Sequence, residues 1–171
     1  MLRGINVSGS NIIKMVDLRK MFQEAGMKNV STYIQSGNVI FDAHESGKCD
    51  LAGTLEHSIR NTFGISVHMI LRDPQDLEMA VAGVPADFRD ESKIYFMFFK
   101  EKINAETAEE KLATAGSEDL IRIFPGHAAL YCFNGYGKTK LSNNYLERML
   151  KVTATTRNFR TVSKLIGIAN K

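Results

Sequence analysis

The chain has little from which to build a covalent or metal-bound framework. Its cysteines, in 171 residues, are Cys49 and Cys132, far apart and without metal or redox spacing. A lone disulfide and two free thiols both fit, and free thiols in a reducing cytoplasm are the expectation. The four histidines, His44, His57, His68 and His127, do not pair with each other or with cysteine at ligand spacing, so no metal site is expected. No apolar run approaches the roughly 18 residues of a membrane span. Met1-Leu2-Arg3-Gly4 does not open a signal-peptide layout, and no segment is of low complexity. These absences leave a soluble globular protein with a cytoplasmic location as the expectation.

What is present is ordinary in bulk and uneven in distribution. Hydrophobic residues at 44% and charged residues at 24% suit a soluble domain, and the length allows one large domain or two small ones. The net charge of +3 hides a polarity: residues 138–171 carry eight basic side chains against Glu147 alone, a net +7, and the remainder carries −4. Such a split favours an anionic partner for the C-terminal quarter, although lysines and arginines also solvate helix faces without further purpose.

One pattern of elements occurs twice. An apolar helix ends at Ala25-Gly26, a strand runs over Val30 to Gln35, Ser36-Gly37-Asn38 turns, and Val39-Ile40-Phe41 follows. Later a helix capped by Asn104 ends at Ala115-Gly116, a strand spans Leu120 to Phe124, Pro125-Gly126-His127 turns, and a strand runs from Ala128 to Phe133. In the first copy, a strand over Leu2 to Val7 precedes a helix over Lys14 to Ala25. A helix capped by Asp50 then carries Leu51, Leu55, Ile59 and Phe63 on one stripe, and Val67, Met69 and Leu71 alternate as a strand. In the second, Ile94 to Phe99 reads as a central strand and Ser142 caps a helix on which Leu141 staples to Leu146. Val152 to Thr155 gives a last short strand, and a final helix starts near Asn158. Between the copies, Asp73-Pro74 starts a short helix, and Val84 to Ser92 reads as a linker. The expected fold is α+β: a tandem duplication of two ferredoxin-like βαββαβ subdomains, 1–73 and 93–171, with a connecting helix and linker over 74–92 and an extra C-terminal helix.

Polar residues and glycine gather in five places. Arg3 to Asn11 is a strand entering a glycine loop, able to offer backbone N–H groups to a phosphate but lacking G-x-G-x-x-G. Gln35-Ser36-Gly37-Asn38 has turn chemistry, with Ser36 exposed for contact but no adjacent base. Asn134 to Ser142 contains Gly137-Lys138-Thr139, yet a phosphate-binding P-loop needs glycine where Cys132 stands. Lys138, Lys140 and the helix start at Ser142 can still draw an anion. Thr155-Thr156-Arg157-Asn158 reads as a capping segment in which Arg157 opposes the helix dipole. Finally, His127 takes the turn position that Asn38 takes in the first copy.

Three stretches, Leu2-Arg3-Gly4-Ile5-Asn6-Val7, Thr32 to Phe41 (TYIQSGNVIF) and Thr155 to Val162 (TTRNFRTV), resemble the recurring blocks of an uncharacterised bacterial "domain of unknown function" family, family 1697. Lys140-Leu141-Ser142 also fits its pattern. The resemblance implies a two-lobed α+β bacterial protein, with no established activity and no functional residue to carry over. Members usually have several more apolar residues before the first block, so a shortened first strand is expected here.

From sequence, then, the best functional expectation is non-catalytic binding of an anionic ligand, nucleic acid or nucleotide, through the basic C-terminal quarter. The alternative is a small-molecule enzyme or sensor in a cleft between the halves, and a third class is an interaction module. No cofactor is expected, and the ligand-binding candidates are Arg3, Asn6, Ser36, Asn38, Lys138, Lys140, Ser142, Thr156, Arg157 and Asn158.

Overall fold

The computed structural model of the chain describes residues 1–7, 9–43, 50–113 and 116–171. Expectations for Ser8, His44, Cys49 and Ala115 lie outside the described residues. The chain divides into two compact units, Met1–Leu71 with Ile168–Lys171, and Arg72–Gly167.

In the first unit, α1 (Met15–Glu24) buries Leu18, Met21 and Phe22 on one stripe, and Gly26 ends it at φ +88°. β1 (Lys28–Tyr33) and β2 (Asn38–Asp42) pair antiparallel, with Thr32 opposite Val39 and Tyr33 opposite Asn38. α2 (Leu51–Phe63) starts where the Asp50 carboxylate accepts the Gly53 N–H at 3.2 Å and stops at left-handed Gly64. The apolar stripes of α1 and α2 meet in one core with Leu2, Ile5, Val30 and Met69.

Two strands of this unit differ from expectation. Leu2 to Val7 does not form a strand, because Gly4 (φ +68°) and Asn6 (φ +53°) turn the backbone left-handed twice within three residues. Pairing survives only at its start: the Arg3 N–H donates to His68 O (2.9 Å), the Ile70 N–H donates to Met1 O (2.8 Å), and Leu2 bridges Met69. Val67 to Leu71 is reduced to that same bridge. β1 ends at Tyr33 rather than Gln35, since Ile34 takes φ +50°.

The second unit opens with α3 (Pro74–Ala82), its start fixed by reciprocal Asp73 and Asp76 bonds. There follow β3 (Ile94–Phe99), α4 (Ala105–Leu112), β4 (Leu120–Phe124), β5 (His127–Tyr131), α5 (Asn143–Leu150), β6 (Ala154–Asn158) and α6 (Phe159–Ala169). The sheet order is β4-β5-β3-β6, antiparallel throughout. β3 is central, as its apolar run requires, and Ile94 and Phe96 to Phe99 are all buried. Met97 and Phe99 join Leu112 of α4 and Leu146 of α5 in one core, which also holds Leu141. On the other face, Phe88 packs on Tyr131 with ring centroids 5.3 Å apart and Phe159 packs on Phe96 at 6.1 Å. Asn104 and Ser142 cap α4 and α5 as expected. Cys132 is a buried free thiol, which burial and then Asp119 push up to about 11.

The last strand is Ala154–Asn158, not Val152 to Thr155. Lys151 closes α5 in the left-handed conformation and the chain re-enters the sheet three residues later. Thr155, Thr156 and Arg157 are therefore strand residues, and α6 is started by Asn158, whose Oδ1 accepts the Thr161 N–H at 2.8 Å.

Gly37 is packed against apolar side chains: at φ +76°, an added Cβ would lie 2.8 Å from the Leu2 Cβ and 2.8 Å from the Ile5 Cδ1. Gly37→Ala is expected to cost about 2–4 kcal/mol, combining left-handed strain with overpacking. Gly26→Ala, where a Cβ meets open space, should cost about 1–2 kcal/mol. Urea unfolding of both variants measures the gap, and equal losses would show that the close approach at Gly37 carries no weight.

Candidate functional site

In the first unit, the polar residues of the N-terminal block and of the Ser36-Gly37-Asn38 turn form one hydrogen-bonded knot. The Asn6 Oδ1 accepts the Ile13 N–H at 2.8 Å, while its Nδ2 donates to Ile13 O at 2.9 Å and Gln35 O at 2.8 Å. Asn38 is fully buried and donates to Tyr33 O (3.1 Å) and Ser36 Oγ (3.0 Å). The Leu2 N–H donates to Gly37 O at 2.8 Å. The structure thus brings Asn6, Ser36 and Asn38 together, with Arg3 in the adjoining pairing against His68. Asn6 and Asn38 satisfy backbone groups there, which is work for the fold.

In the second unit, a chain of polar contacts links the glycine loop to β6. The Tyr136 hydroxyl donates to Thr156 Oγ1 (3.1 Å), which donates to Asn143 Oδ1 (3.0 Å), and Asn143 Nδ2 donates to Ala154 O (3.1 Å). The Tyr136 ring lies 5.0 Å from that of Tyr95, and burial raises its hydroxyl pKa above the ordinary tyrosine value. Lys138 is exposed at this loop, Lys140 Nζ donates to Gly116 O at 3.2 Å, and Ser142 Oγ accepts the Tyr145 N–H.

Arg157 stands elsewhere. It sits in β6 and not at a helix start, opposite Phe96, on the sheet face away from Thr156. Its side chain is buried and donates to Thr155 Oγ1 at 2.7 Å and Thr156 O at 2.8 Å. Burial lowers its pKa to about 10. The basic quarter is divided in the same way. Lys138, Lys140, Arg148 and Lys151 accompany α5 on the Met97 face, whereas Arg160 and Lys164 lie on α6, whose Phe159 packs on the Phe96 face.

Arg72, which carries no motif in the sequence, holds a half-buried position in the second unit. Its guanidinium donates to Phe99 O and, at 3.0 Å, to Gly126 O, and lies 6.0 Å from the Phe98 ring centroid. Burial lowers its pKa, and Asp76 opposes that shift. Beside it His127 stacks on Phe124 with centroids 4.6 Å apart, and its Nε2 is buried with no hydrogen-bond partner among the described residues. Nothing near Arg72 in sequence points to partners 27 and 54 residues away.

With six helices and two antiparallel sheets among the described residues, the chain is a mixed α and β protein. It belongs to the family described as protein of unknown function (DUF1697), whose model matches residues 1–129. The fold is similar to that of the conserved bacterial protein SP0830 from Streptococcus pneumoniae, at 25% identity and a TM-score of 0.75 over 99% of this chain and 96% of that one. A search of curated proteins finds no match.

His127 makes stability depend on pH. Burial first and then Arg72 push its pKa down from 6.5 to about 4, against Asp76. Between those values the unfolded chain binds a proton that the folded one excludes, so this stability is complete above about pH 6.5 and falls as the pH drops toward 4. The melting temperature is expected to fall more between pH 7 and pH 5 in the parent than in His127→Phe. Identical slopes in the two would show that His127 is not held neutral.

Proposed function

We propose that this protein is a non-catalytic binder of an anionic ligand, a nucleic acid or nucleotide, through Lys138, Lys140, Arg148 and Lys151 around α5. The observation that carries this reading is the exposure of all four cations in a quarter of the sequence that holds a single carboxylate. That carboxylate, Glu147, is the one acidic residue of the basic quarter, and its Oε1 accepts the Ala154 N–H at 2.8 Å. No ion pair among the described residues involves the four cations. Thr156 and Ser142 organise the loop beneath them, while Arg157 and Asn158 support β6 and α6 from within.

The fold-level part of the reading is a duplication of ferredoxin-like halves, 1–73 and 93–171, joined through 74–92. The order β4-β5-β3-β6 supports it for the second half. Support for the first comes from the Met1–Arg3 pairing with 68–70 and from a shared device: Glu56 of α2 accepts the Met69 N–H at 2.7 Å much as Glu147 of α5 accepts that of Ala154. We place the protein in the cytoplasm. Among the described residues no helix is long and apolar enough to cross a membrane.

Fluorescence anisotropy with short single-stranded RNA and DNA, and with a labelled nucleotide, over a salt series tests the binding. Four phosphate contacts predict a log–log salt slope near −3 for a single strand, and Lys138→Ala/Lys140→Ala should reduce it by about 1.4. Binding that ignores salt, or is unchanged in that variant, would sink the proposal.

A further inference from the structure

A second polar site lies in the first unit, remote in sequence from the basic quarter. α2 turns Gly53, Glu56, His57 and Arg60 to one side, the three- and four-residue steps of one helical face. The chain after the Gly64 stop runs opposite as Ser66, Val67 and His68, and a cleft of about 260 Å³ opens between them. The buried stripe of α2, Leu55 and Ile59, points away into the core, so these polar groups are not needed to hold the helix.

The lining is rich in donors. Glu56, the one carboxylate, has its Oε1 engaged by the Met69 N–H at 2.7 Å. Arg60 presents five N–H groups and no acceptor, is exposed, and enters no ion pair among the described residues. Ser66 adds a hydroxyl, and His57 and His68 add two exposed imidazoles. His57 Nε2 lies 2.9 Å from Asn61 Nδ2, and rotation of that amide lets the ring either accept or donate there. The described residues hold no group of three or more His, Cys, Asp or Glu suited to a metal ion. A guanidinium, two imidazoles and a hydroxyl match an oxyanion instead. The volume falls below the roughly 300–1,000 Å³ of ordinary small-molecule sites, so the occupant is a small group.

We infer that this cleft binds a phosphate group, as inorganic phosphate or as the phosphate of a small phosphomonoester, with Arg60 as the forked donor and His57, His68 and Ser66 completing the contacts. The site shares no residue with the cations around α5 and stands whether or not those bind a polymer.

The test is an NMR titration of the full chain with inorganic phosphate, glycerol phosphate and acetate at constant ionic strength, following the His57 and His68 rings and the amides of 66–68. Saturable shifts are expected with one or both phosphates, and the stronger of the two identifies the source. Affinity should fall about tenfold or more in Arg60→Gln and in His68→Gln, the loss of one charge-assisted contact. These side chains are exposed, so the variants should fold, and retained amide dispersion checks this. Lys138→Ala/Lys140→Ala should bind phosphate as the parent does, which separates this site from the one around α5. No saturable shift, unchanged affinity in Arg60→Gln, or acetate binding as tightly as phosphate would overturn the assignment.

Discussion

The side chain of Asn6 does for the first unit what a strand would otherwise do. Once Gly4 and Asn6 adopt left-handed backbone, residues 4–6 cannot offer their N–H and C=O groups to a ladder. The Asn6 amide takes over, pairing with both backbone groups of Ile13 and with Gln35 O. A buried polar group left unmatched costs about 1–3 kcal/mol, so three matched groups outweigh one well-buried Leu or Ile, at about 1.5–3 kcal/mol. Asn38 and the close approach of Leu2 to Gly37 then fix the same corner from the turn side. The second unit has no such need, because β3 is laddered on both sides by β5 and β6.

Elements announced by two independent signals were legible. α2, α4 and α5 each combine a capping side chain with an apolar stripe, and each begins where Asp50, Asn104 and Ser142 indicate. The central place of β3 followed from apolar residues at successive positions. Errors cluster at non-glycine residues with positive φ: Asn6, Ile34 and Lys151. A β-branched residue such as Ile34 rarely adopts that conformation, so its own propensity pointed toward a continued strand. Lys151 moved the last strand along the chain and carried Arg157 from an expected helix start into the sheet.

The candidate site was legible in kind more than in place. Composition marked Asn6 and the pair Ser36 and Asn38 as two separate polar places, and only the folded chain joins them, as a hydrogen-bonded knot. Net charge over 138–171 could not reveal that successive elements lie on opposite faces of one sheet, which parts Lys138 and Arg148 from Arg160 and Lys164. The charge of Arg72 acts on His127 although no local pattern connects the two residues. The cleft on α2 lay hidden because its residues are unremarkable singly and gain meaning only across a helix face from 66–68.

Glutamates recur at the margins of pairing: Glu56 takes the Met69 N–H, Glu109 that of Ile123 at 3.4 Å, and Glu147 that of Ala154. Ile123 lies on β4 and Ala154 on β6, the two outermost strands of the larger sheet. Each margin therefore meets solvent behind a charged side chain from its own flanking helix, a guard against unwanted strand addition. A peptide cannot extend that sheet at these points without first evicting a carboxylate. At Ile123 and Ala154, then, the two borders of the sheet carry their own side-chain partners, and an incoming strand competes there with groups already tethered to α4 and α5.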